Sequence, residues 1–243
     1  MTTYQHEANS KPEWQRISKP AHIAEQRLIS AILDGTFAIN SHLPGERELA
    51  ERLGVTRPTL RETLGRLQRD GWVEIIQGKP TRIRNYWQEG NLGVLNTLAH
   101  FPEHMPDNFI ENLLVVRLAM APAYTALAIK NAPEMIKTFL DNRQNLGEDP
   151  YAFSLFDWEV HHTLTTFSEN PVFVLILNGF KDLYLKFAPK YFGINQTRQH
   201  SMHYYDNLAQ AAAMDDAVQA RILTETVMRE SIQYWQKVNI NEN

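Results

Sequence analysis

From Pro20 onward, apolar residues fall at Ile23, Leu28, Ile29, Ile32 and Leu33. This three- and four-residue spacing predicts an amphipathic helix, and Gly35 stands where it should end. The next stretch, TFAINSHLPGE, reads as an irregular connection. Glu46 to Leu53 predicts a short second helix with Leu49 and Leu53 on one side, followed by a tight turn at Gly54-Val55. Thr56 is placed to cap a third helix that runs to about Asp70, with Leu60, Leu64 and Leu67 as its buried stripe. After Gly71 the period changes. Residues 72–76 and 81–84 are β-rich runs around Gln77-Gly78-Lys79-Pro80, which predicts a hairpin with a glycine at its tip. Three helices and a hairpin describe a winged helix-turn-helix.

From Phe109 to Trp235 the pattern is helical again, punctuated by Pro133, Pro150, Pro171 and Pro189. Six or seven helices are expected there. The predicted fold is therefore mainly α: an N-terminal winged helix-turn-helix and a C-terminal all-α helical bundle. The boundaries read as a flexible arm over 1–18, the winged domain over 19–86 and a linker over 87–106. The helical domain covers 107–237 and a tail 238–243. The linker is expected to carry a short helix of its own at Leu92, Leu95 and Leu98.

Composition adds exclusions. The 243 residues contain no cysteine, so neither disulfides nor a thiolate zinc site can form. The first residues lack the basic-then-apolar order of a signal peptide, and no uninterrupted apolar run approaches the roughly 20 residues that span a bilayer. A cytoplasmic protein with no membrane partner is expected. The net charge of −4 is unevenly spread. Residues 1–86 hold 13 Lys/Arg against 10 Asp/Glu, whereas residues 87–243 hold 11 against 18. The positive excess lies on the winged segment, where nucleic acid would meet it.

In a helix-turn-helix the second helix presents its amino end to base edges. Pro58 lies in the first turn, where its missing N–H costs nothing. Leu60 faces the core, which leaves Arg57, Thr59 and Arg61 pointing outward beside the cap Thr56. The planar fork of arginine matches the O6/N7 pair of guanine. Arg47, at the start of the second helix, is placed to reach the same groove or its phosphates. The tip Gln77-Gly78-Lys79 suits close approach to the minor groove or the backbone, although the same tripeptide also makes a simple turn.

These residues carry a family resemblance. PGERELAERLGVTRPTLRETLGRLQRDGW and its glycine-tipped wing resemble the GntR superfamily of bacterial repressors. The later segments NLGVLNTLA, ENLLVVR, SENPVFVLILNGFKDLY and RESIQYW are similar to the acyl-CoA-responsive FadR group within it. The resemblance places Arg47, Thr56, Arg57, Thr59, Arg61, Gln77 and Gly78 at DNA-contact positions. It departs at Pro58, where a threonine is usual, and at Gln77, where a histidine is. It also implies a homodimer on a near-palindromic double-stranded operator, repression of fatty-acid degradation, and activation of unsaturated fatty-acid synthesis.

For the helical domain the resemblance implies long-chain acyl-CoA as effector, with no cofactor and no resident metal. Arg117, Tyr184, Tyr191, Ser231 and Trp235 match acyl-CoA-associated positions, while Val227 and Met228 differ from the tyrosine and glycine found there. An acyl-CoA needs an apolar tunnel and a cationic mouth. Leu177, Phe180, Leu183 and Phe187 are candidates for the wall, and Lys186 and Lys190 for the phosphates. Other relatives hold a metal between an Asp and a His four apart and two later histidines. Asp157 and His161 have that first spacing, but Ser231 stands at the last histidine's place. Asp206 or a neighbouring tyrosine stands at the other, with His203 offset. The alternative is thus a GntR-type regulator of organic-acid or sugar-acid metabolism with a metal-dependent effector site. An enzyme reading finds no nucleophile elbow and no phosphate loop.

Overall fold

The computed structural model describes residues 19–240, with side chains through Lys237. The arm expected over 1–18 lies outside the described residues, as do 241–243. The chain forms two compact units and passes from the first to the second between Asn85 and Tyr86.

The first unit contains α1 (Pro20–Leu33), α2 (Glu46–Leu53), α3 (Arg57–Asp70), β1 (Val73–Glu74) and β2 (Arg82–Ile83). Leu28, Ile29 and Ile32 of α1 and Leu60, Leu64 and Leu67 of α3 are buried where these helices pack. The Thr63 hydroxyl donates to the Ala21 carbonyl at 3.1 Å and ties the two together. Arg27 Nη1 donates to the Leu53 carbonyl at 3.0 Å, which satisfies a free acceptor at the end of α2. Gly54 and Gly71 close α2 and α3 with φ of 69° and 94°, where a Cβ would be strained.

The hairpin ladder is shorter than the sequence suggests. It pairs Val73 with Ile83 and Glu74 with Arg82, antiparallel. The connection after α1 is not irregular. Asn40 N–H donates to Ile83 O at 3.0 Å, Ile83 N–H to Ser41 O at 2.8 Å, and Leu43 N–H to Thr81 O at 2.8 Å. Residues 40–43 thus lie along β2 as a third strip, and the pairing supplies backbone bonds that burial would otherwise leave unmade.

The second unit begins with α4 (Tyr86–Glu89) and α5 (Leu92–Leu98), then a 3₁₀ turn at Pro102–His104. Seven helices follow: α6 (Phe109–Asn131), α7 (Pro133–Leu140), α8 (Pro150–Phe167), α9 (Pro171–Asn178), α10 (Lys181–Phe192), α11 (Asn195–Ala213) and α12 (Ala217–Ile240). Pro133, Pro150 and Pro171 each open a helix, as their fixed φ allows. Pro189 does not punctuate; it sits inside α10, within the last turn. α6 is central and packs against α12 and α8. By length and composition α6 alone among the described helices could cross a membrane; here Tyr124, Ala128 and Ile129 from it enter the core with Val160, Leu164, Tyr205 and Leu208.

Leu60 has no solvent exposure at the α1–α3 contact. Leu60→Ala should cost about 2–5 kcal/mol through lost burial and the cavity left behind. Urea unfolding followed by circular dichroism measures it.

Candidate DNA interface and effector cavity

At the leading end of α3, Thr56 Oγ1 accepts from the Thr59 backbone N–H at 3.3 Å and lies 2.8 Å from Thr59 Oγ1. The cap fixes the first turn and engages the Thr59 hydroxyl, which is only half-exposed. Thr56, Arg57, Pro58 and Arg61 are exposed. Arg61 reaches across to α2: its Nη2 and Nε lie 2.8 and 2.9 Å from Glu46 Oε2. The amino ends of α2 and α3 are thereby brought together, with Arg47 exposed beside them. At the wing tip, Lys79 N–H donates to Ile76 O at 3.0 Å and Gly78 takes φ of 79°, as the third position of a type II turn requires. Gln77, Gly78 and Lys79 are all exposed.

The second unit holds a largely apolar cavity of about 1030 Å³, counting its open mouth. Arg117, Tyr184, Tyr191, Ser231 and Trp235 all line it, as do Leu177, Phe180, Leu183 and Phe187 and the divergent Val227 and Met228. Lys190 does not line the cavity but stands over the Trp235 ring, 5.6 Å from its centroid. Lys186 is exposed and also outside the lining.

One wall is polar, and most of its polar groups are paired with one another. Arg117 Nη2 donates to Asp157 Oδ2 at 3.0 Å and lies 2.5 Å from His161 Nε2. An arginine can only donate, so Nε2 accepts and the imidazole proton sits on Nδ1. That proton faces Tyr124 Oη at 2.7 Å. Asp157 also accepts from Tyr205 at 2.6 Å and from Tyr184. Tyr191 donates to Ser231 Oγ at 3.5 Å, and Ser231 donates to Val227 O at 2.8 Å.

The charges follow. Burial opposes the Asp157 carboxylate, but Arg117, His161 and the tyrosine donors outweigh it and hold its pKa below the usual value. Burial and the Arg117 charge push His161 down from 6.5 to about 3, so it stays neutral. Tyr191 is raised to about 12, chiefly by burial. The wall holds one cation and one anion that neutralise each other, with Arg117 Nε left buried and without a hydrogen-bond partner.

The Asp157/His161 spacing does put both groups on one face, but Arg117 occupies a donor atom of each. The neighbouring tyrosine, Tyr205, enters the network; Asp206 instead pairs with Arg143 at 2.7 Å on the surface. His203 is exposed. Among the described residues no three His, Asp or Glu side chains converge as metal ligands would. Sequence reasoning missed Tyr124 as a partner of His161, and Tyr205 as the donor that completes Asp157. Ser201, Tyr205, Leu208 and Ala212 do recur at helical spacing, the one available signal that Tyr205 points inward.

Residues 20–83 match the model for bacterial regulatory proteins of the gntR family, and residues 84–242 that for the FadR C-terminal domain. The chain belongs to the GntR family of bacterial regulators, in its FadR branch. It is a DNA-binding transcriptional regulator and not an enzyme. Among curated relatives, the fatty acid metabolism regulator protein of Shewanella frigidimarina is 39% identical over 222 residues, 90% of this chain and 92% of that protein. The protein of the same name from Shewanella halifaxensis is 39% identical over 220 residues, with the same coverage. Among solved structures, Lar, which controls the Listeria monocytogenes agr system, shares the fold at a TM-score of 0.54 and 18% identity, covering 91% of this chain and 99% of that one.

Both buried titratable groups favour their high-pH forms in the folded state. Their contribution to stability is complete above about pH 6.5 and declines as pH falls toward 3, because the unfolded chain takes up protons first. Denaturant midpoints measured across that window should fall with acid. His161→Gln keeps an acceptor for Arg117 and a donor for Tyr124 and should flatten the slope between pH 4 and 6.

Proposed function

We propose that this chain is a homodimeric regulator of fatty-acid metabolism, released from its operator by long-chain acyl-CoA. It would repress degradation and activate unsaturated fatty-acid synthesis from the cytoplasm, without a membrane partner. The observation that carries the effector reading is the cavity. It is walled by Leu177, Phe180, Leu183 and Phe187, and its one ionic pair is already internally neutralised. An acidic effector entering it finds no unpaired cation, whereas an acyl chain finds apolar wall. The name that these relatives share, fatty acid metabolism regulator protein, supports the metabolic assignment.

The proposed DNA-reading set is Arg47, Thr56, Arg57, Pro58, Thr59 and Arg61, with Gln77, Gly78 and Lys79 at the wing. Two recognition helices of a dimer would enter successive major grooves of a near-palindromic site. For release, the acyl chain must displace lining groups on α6, α10 and α12. α5 rests on α10, and Leu92 packs so closely on Gly179 that a Cβ there would lie 2.7 Å from Leu92 Cδ1. A shift of α10 is therefore felt by α5, the helix through which the chain leads back to the winged domain. The ligand acts only through its preference for one state, typically about 1–3 kcal/mol in such couplings.

Gel-shift titration with oleoyl-CoA tests the effector. The operator complex should dissociate as the ligand saturates, and a complex indifferent to saturating oleoyl-CoA would refute the assignment. Arg57→Ala should weaken operator binding by about 1–3 kcal/mol if Arg57 pairs with guanine. Fluorescence anisotropy with a labelled operator measures it, and an unchanged affinity removes Arg57 from the base-reading set.

A further inference from the structure

We infer that Glu46 is a specificity-positioning residue: it orients Arg61 for base reading and penalises binding to random duplex. The inference rests on Arg61 belonging to the DNA-facing set proposed above.

The geometry is selective. Arg61 has five N–H donors; that of Nε is given to Glu46 Oε2 at 2.9 Å, and Nη2 lies 2.8 Å from the same oxygen. The bound edge of the guanidinium is the Nε side. Its far edge, formed by Nη1 and the outer proton of Nη2, remains as a planar fork. That fork has the shape which meets O6 and N7 of guanine. Without Glu46, a side chain 68% exposed would sample many rotamers and grip phosphates wherever they lay.

Charge supplies the second half. Glu46 opens α2 at the end where Arg47 is exposed, so the amino ends of both helices face DNA with an anion among the cations. Held 2.8 Å from Arg61, the carboxylate offsets part of its charge toward a phosphate backbone. Non-specific affinity comes almost wholly from such charge, so it suffers most. Base contacts made by a pre-oriented fork suffer least. Glu48 provides the contrast, because it lies in the same first turn but pairs with Arg52 of its own helix at 2.5 Å.

The test measures affinity for operator and for random duplex at physiological ionic strength, using the full chain. In Glu46→Gln the operator-to-random ratio should fall by about five- to ten-fold, the low end of one lost base-pair discrimination, with random binding tightened. Glu46→Asp, which keeps the charge but shortens the reach, should lose operator affinity without tightening random binding. Glu48→Gln removes an equivalent first-turn carboxylate and should leave the ratio as in the wild type, so any loss common to both variants is structural. The double variant Glu46→Gln/Arg61→Ala should be no less specific than Arg61→Ala. A wild-type ratio in Glu46→Gln, or full additivity in the double variant, overturns the inference while leaving Arg61 as a DNA contact. Unchanged operator binding in Arg61→Ala instead removes Arg61 from the DNA-facing set, and the inference with it.

Discussion

The pairing of Arg117 with Asp157 organises the second unit. A lone guanidinium or carboxylate at this depth would be strongly unfavourable, and even a pair offsets its desolvation only when the remaining donors and acceptors are also met. Most are met from four helices, Arg117 and Tyr124 from α6, Asp157 and His161 from α8, Tyr184 from α10 and Tyr205 from α11, while Arg117 Nε is buried without a partner. Each partner is held at a distance that permits little sliding. The helices are thereby fixed in register around one point, and the apolar cavity opens beside it.

A polar network of this kind also resists gradual rearrangement. Apolar contacts tolerate small shifts of one helix against another, because dispersion falls off gradually. Buried hydrogen bonds do not, since an unmade one carries the full cost of desolvation. A guest that displaced α10 or α12 would have to break such bonds rather than stretch them, the kind of threshold a two-state switch needs.

Most of the winged unit was legible in the sequence, because local rules decide it. Glycine positions, the Thr56 cap and the leucine stripe of α3 are each set within a few residues, and both α2 and α3 lie where the pattern puts them. The strip at residues 40–43 escaped notice because its partner, β2, lies some 40 residues on and its side chains show no alternation. In the helical unit, α6 is apolar on every side, so periodicity identifies no buried face. Pro189 misled because a proline in the last turn of a helix removes a hydrogen bond without ending it. The cavity residues came from resemblance, not from pattern. The partners that join them, Tyr124 and Tyr205, are long-range contacts that no spacing rule reports.

The strip along β2 has a consequence for how the wing is aimed. Residues 40–43 run directly into α2, so the same short segment is stitched to the root of the wing and leads into the helix that carries Glu46 and Arg47. The wing is less a free flap than an outrigger lashed to the frame. A single inserted residue between α1 and α2 would slip that lashing by one position and re-aim Gly78 and Lys79. Operator preference can therefore be tuned from a segment outside the proposed DNA-reading set.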